Sequence, residues 1–112
     1  SLTKLEFNDF NCLINLVELH LNHNKLNYLS PNLFKNLVKL KLLKLNNNPN
    51  LVLTPDIFNG LQNSLGHLSI NFNLNQKQII QFDSALDLLI NQYNLNSIER
   101  LELDESKFYY IR

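Results

Sequence analysis

Leucines recur along the chain at a spacing that alternates between three and two. In LVELHLNHN, Leu16, Leu19 and Leu21 are followed by Asn24, and LKLLKLNNN repeats this as Leu40, Leu43, Leu45 and Asn48. LGHLSINFN supplies Leu65, Leu68, Ile70 and Asn73, while IERLELDES supplies Ile98, Leu101 and Leu103 with Ser106 where the asparagine belongs. The leucine-x-leucine centre of each copy has a two-residue period. It predicts a short strand whose leucines share one face while the residue between them points the other way.

The stretches between these copies match as well. Leu29, Pro31, Phe34 and Leu37 are answered by Leu53, Pro55, Phe58 and Leu61, each 24 residues later. Running the period backwards puts Leu5, Phe10 and Leu13 in the same register. The chain therefore divides into a partial repeat 1–15, repeats 16–39, 40–64 and 65–97, and a partial repeat 98–112, and further repeats are expected at both ends. No such unit can bury its leucines alone, because its core is shared with its neighbours. The period stretches to 33 residues after Leu65, and NQKQIIQFDSALDLLINQYN carries Ile79, Phe82, Leu86, Leu89 and Tyr93. That three-four spacing predicts an amphipathic helix inserted at about 76–93, with Asn75 and Gln78 capping its start.

LVELHLNHNKLNYLSPNLFKNLVK resembles a leucine-rich repeat of the 24-residue "typical" kind. Its second half, with Leu29, Pro31, Phe34 and Leu37, is similar to the version found in Toll-like, Slit-like and chaoptin-like ectodomains. The resemblance covers nearly the whole chain and implies an α/β fold: one leucine-rich repeat solenoid over 1–112, a horseshoe fragment. Short parallel strands would line the concave side, and the convex side would be irregular or helical. It also implies a protein-binding module of a receptor or cell-adhesion protein, at the cell surface or outside the cell. An intracellular repeat scaffold or signalling adaptor in the cytoplasm is the alternative.

The asparagine has a physical reason. After each strand the chain turns sharply and leaves backbone groups pointing inward without sheet partners, which a buried chain does not tolerate. An amide carries both donors and an acceptor, so Asn24, Asn48 and Asn73 are expected to form a structural ladder. Twenty asparagines stand in this sequence, so position and not number carries the argument.

Composition narrows the function classes. Ten basic and ten acidic residues give no net charge, and the cluster Lys35, Lys39, Lys41 and Lys44 has no interleaved aromatics, so nucleic acid is not an expected partner. No stretch approaches the roughly 18 apolar residues of a membrane span. The opening residues also lack a signal peptide's charged start and apolar run, so any targeting signal is expected beyond these ends. Cys12 stands alone, which excludes an internal disulfide framework and suggests a buried small hydrophobe. No Asn-x-Ser/Thr glycosylation site occurs.

Candidate chemistry is sparse. Gly60 and Gly66 make no phosphate-cradling loop. His20, His23 and His67 are too scattered for a zinc site, so no metal or cofactor is expected. His67 and Ser69 share a strand face, but no carboxylate is expected to orient the imidazole, and a Ser-His-Asp site needs all three roles in contact. Glu102 and Asp104 alternate on the last strand without an evident apolar pocket to raise a pKa. The expectation is accordingly not an enzyme.

What remains is the strand face turned away from the leucines. Its positions are Glu18, His20 and Asn22; Leu42, Lys44 and Asn46; His67, Ser69 and Asn71; Arg100, Glu102 and Asp104. The core does not need these residues, so they are free to carry a protein-binding surface.

Overall fold

The computed structural model describes residues 3–52, 56–70, 90–91 and 93–102, and the backbone of 103–104 and 107–110. In chain order the strands are β1 (Lys4–Leu5), β2 (Glu18–His20), β3 (Tyr28–Leu29), β4 (Leu42–Lys44), β5 (His67–Ser69), β6 (Arg100–Asp104) and β7 (Lys107–Tyr110), with a 3-10 helix at Phe7–Asp9. A five-stranded sheet runs β2-β4-β5-β6-β7 and a second sheet pairs β1 with β3.

The sheet register follows the sequence period. Leu19 lies opposite Leu43, Leu43 opposite Leu68, and Leu68 opposite Leu101, all in parallel strands. The 33-residue spacing leaves this unchanged, since His67 still pairs with Arg100 and Ser69 with Glu102. In the smaller sheet Lys4 faces Tyr28 and Leu5 faces Leu29, again in parallel and 24 residues apart. Each unit also hands backbone bonds to the next outside the strands: Lys41 N donates to Val17 O at 2.8 Å, Gly66 N to Lys41 O at 2.9 Å and Glu99 N to Gly66 O at 2.8 Å.

One core runs through the units. Leu43, Leu68 and Leu101 are 0% exposed, and Leu26, Phe34, Leu37, Leu40, Leu61 and Leu65 join them. Phe58 packs edge-on against Tyr93 with ring centroids 5.0 Å apart. At the first unit the burial weakens. Leu16 and Leu19 are only partly buried, and Leu13 is 44% exposed, although its counterpart one period later, Leu37, is fully buried. Leu37 has an earlier unit packed against it, and no described residue does the same for Leu13.

The limbs that return between strands are turns. Leu33 N bonds Ser30 O, Lys35 N bonds Asn32 O and Leu37 N bonds Phe34 O, a chain of three-residue closures. Asn32 interrupts it with φ +60°, a conformation no helix accommodates. Among the described residues these limbs hold no α-helix, so an irregular limb replaces a helical one there. The inserted helix expected at about 76–93 lies mostly outside the described residues, as do Leu53, Pro55, Asn71, Asn73 and Ser106.

The last pairing departs from the repeat. β7 runs antiparallel to β6, with Leu101 opposite Tyr109 and Glu102 opposite Phe108, and a register shift falls between Glu102 and Asp104. β7 thereby takes the edge of β6 on which a further parallel strand was expected to stack.

Candidate binding face

Register fixes which side chains of the open face become neighbours. Leu42, His67 and Arg100 form one row across β4, β5 and β6, and Lys44, Ser69 and Glu102 form the next. Glu18 and His20 on β2 are exposed, and His20 Nε2 lies 3.2 Å from Glu18 Oε1. Asn22, Leu42, Lys44, His67 and Glu102 are half-buried and Arg100 is exposed. Asn46 and Ser69 depart from expectation: both are buried. Ser69 sits low between longer neighbours, and Asn46 follows β4 where the chain already turns inward. For Asp104 only the backbone is described.

The sequence reasoning expected no carboxylate near the imidazole, and the structure corrects this. Glu102 reaches diagonally from β6, its Oε1 2.9 Å from His67 Nε2 and 3.6 Å from Arg100 Nε. Ser69 Oγ donates to Glu102 Oε2 at 3.5 Å. A residue two positions from directly opposite remains within reach of a long side chain. Adding 33 to residue 69 would have identified the partner. In this order the carboxylate sits between hydroxyl and imidazole, whereas a nucleophilic serine needs the imidazole in the middle as its base. The cluster is thus a fixed polar network, not a relay.

Burial lowers the pKa of His67 below its ordinary 6.5; the bond to Glu102 and its charge oppose that shift, while Arg100 and Lys44 reinforce it. The unfolded chain takes up this proton near 6.5 and the folded chain only at lower pH. Between those values the unfolded state binds more protons, so stability rises with pH. Urea midpoints are therefore expected to fall as pH drops from 7 to below 6.5, and His67→Gln should flatten that part of the profile. An unchanged slope in the variant would remove His67 as its source.

The asparagines after the strands make internal bonds. Asn48 Nδ2 donates to Leu21 O and Leu45 O, both at 2.9 Å, while its Oδ1 accepts from Leu26 N at 3.1 Å. One buried amide thus joins the turn after β2 to the turn after β4. Asn24 Nδ2, half-buried, donates to Leu21 O at 3.1 Å and Asn22 O at 3.3 Å. Beside them, His23 and Asn47 share a left-handed backbone, φ +58° in each, and their side chains meet 3.2 Å apart.

Cys12, expected to be buried, is a free and exposed thiol. Among the described residues no group of three or more His, Cys, Asp or Glu could hold a metal ion, and no helix is long and apolar enough to cross a membrane. Comparison with protein-family models, with curated proteins and with solved structures gave no match.

Proposed function

We propose that this chain is a stretch of leucine-rich repeat solenoid that binds a protein partner through its open strand face. The observation that carries the reading is the division of labour in β4, β5 and β6. Leu43, Leu68 and Leu101 fill the interior side by side, and the residues flanking them on the other face assemble a half-buried charged network that the core does not require. Preorganised polar groups of this kind give an interface specificity more than raw affinity. Four strands about 4.8 Å apart, each showing roughly 10–13 Å of length, offer on the order of 200–250 Å². A standard interface takes about 800 Å² from each side. Tight binding therefore calls on neighbouring units or on surface beyond the strands.

A receptor or adhesion role at the cell surface follows from the resemblance of LSPNLFKNL to the ectodomain class. An intracellular scaffold or signalling adaptor is the second reading.

The test is a quantitative pull-down with the immobilised chain and its Lys44→Glu variant, each checked for folding by circular dichroism. Lys44 is half-buried at the centre of the face, so a genuine partner should be retained at least about tenfold less by the variant. Equal retention by both proteins would take the open face out of the binding site.

A further inference from the structure

The lysines on either side of the junction between the first two full units are used in different ways. Lys39 Nζ is tied to Asn15 Oδ1 at 3.0 Å, whereas Lys41 is exposed and makes no side-chain bond or ion pair among the described residues. Lys41 stands just ahead of β4, on the wall of a groove of about 530 Å³ that crosses three successive units where their strands begin. Leu42 shares that wall, Ser64 comes from the end of the same unit, Gly66 and His67 come from the next, and Arg100 comes from the third.

Three features give the groove a chemistry. Gly66 forms a bare floor, since the nearest atom to a Cβ built there is Lys41 O at 3.7 Å, an ordinary contact that leaves room above it. Ser64 Oγ is buried and has no hydrogen-bond partner among the described residues, and a buried hydroxyl without a partner is costly. Lys41 carries the charge on offer: of the other charged groups in and beside the groove, Arg100 is already paired with Glu102, and Glu99 on the lining is set against Lys44 nearby on β4, so the described groups leave one positive charge in excess. The backbone around the groove is already engaged. Gly66 N and His67 N both donate to Lys41 O, and Glu99 N and Arg100 N both donate to Gly66 O. Recognition there must come through side chains, not through an added strand.

We infer that this groove takes an extended acidic segment of a protein partner, with a carboxylate on Lys41, an apolar neighbour on Leu42 and its backbone passing over Gly66. The inference rests on the proposed function and deepens it, extending the footprint from the strand face to its rim and stating what the partner presents there.

The test is a titration of the 15N-labelled chain with acetyl-Ala-Glu-Val-Asp-Ala-amide, followed by amide chemical shifts, beside the same peptide carrying lysines in place of its acids and an octathymidylate. The acidic peptide at millimolar concentration should move the resonances of Lys41, Leu42, Ser64, Gly66 and His67, and the basic peptide should not. Lys41→Glu should weaken the response about fivefold, and Gly66→Phe should block it by filling the floor. No shifts, equal shifts with both peptides, an equal response to the oligonucleotide, or binding undiminished in the exposed Lys41→Glu variant would each overturn the inference. If the titration fails while Lys44→Glu still abolishes partner retention, the groove falls and the open face stands. If the titration succeeds while Lys44→Glu changes nothing, the groove alone is the site.

Discussion

Replacing Asn48 by alanine is expected to lower the stability of the chain by about 3 kcal/mol, the upper end of what one orphaned buried group costs. The amide is 4% exposed and serves backbone groups of two units at once. Alanine strips the partner from Leu26 N and from Leu45 O in a place water does not reach. Leu21 O fares better, because Asn24 Nδ2 also donates to it. The comparison variant is Asn24→Ala, whose half-buried site lets solvent replace part of what is lost, so its expected cost is about 1 kcal/mol. Urea denaturation of the two variants against the parent decides it. A loss at Asn48 no larger than at Asn24 would mean that the amide does not join the units.

Gly60→Ala is expected to cost about 3 kcal/mol, through the backbone and not through a lost contact. Gly60 has φ +95°, which side-chain-bearing residues rarely adopt. A Cβ there would lie 2.4 Å from Lys35 O and 2.7 Å from Lys35 C and Cα, atoms of the preceding unit's main chain that cannot swing aside. The two units approach this closely because glycine permits it. Gly66→Ala serves as the control: its Cβ meets only Lys41 O at 3.7 Å, and a change within about 0.5 kcal/mol is expected. Similar midpoints for both alanine variants would show that the units are not pressed together at Gly60.

Much of the fold is legible in the sequence because one physical requirement repeats. A leucine that must be covered by its counterpart in the next unit has to recur at the unit's own spacing, and the register of Leu19, Leu43, Leu68 and Leu101 follows that spacing even where it lengthens to 33. The asparagine argument is of the same kind at Asn48, whose amide serves backbone groups of two units, while Asn73 lies outside the described residues. What escaped is local or belongs to the ends. Leu13 obeys the pattern in sequence and Cys12 does not, yet both are exposed, because periodicity gives the direction of a side chain and not what covers it. The antiparallel β7 follows no repeat, so the period could not place it. On the candidate face, alternation placed His67, Ser69 and Glu102 on one side, yet it did not show the diagonal reach that joins them, because that depends on side-chain length and cross-strand geometry. The burial of Asn46 and Ser69 has the same origin: alternation gives direction, and the height of neighbouring side chains decides exposure.

The central claim is that successive units lie in parallel with their leucines side by side around a shared interior. Interstrand nuclear Overhauser contacts of the labelled chain test it most directly. The account predicts the parallel pattern linking residues 18–20 to 42–44, 42–44 to 67–69 and 67–69 to 100–102, with the close Hα–Hα contacts of antiparallel strands confined to β6 and β7. Hα–Hα contacts between β2 and β4 or between β4 and β5, or no contacts linking Leu19, Leu43 and Leu68, would contradict it.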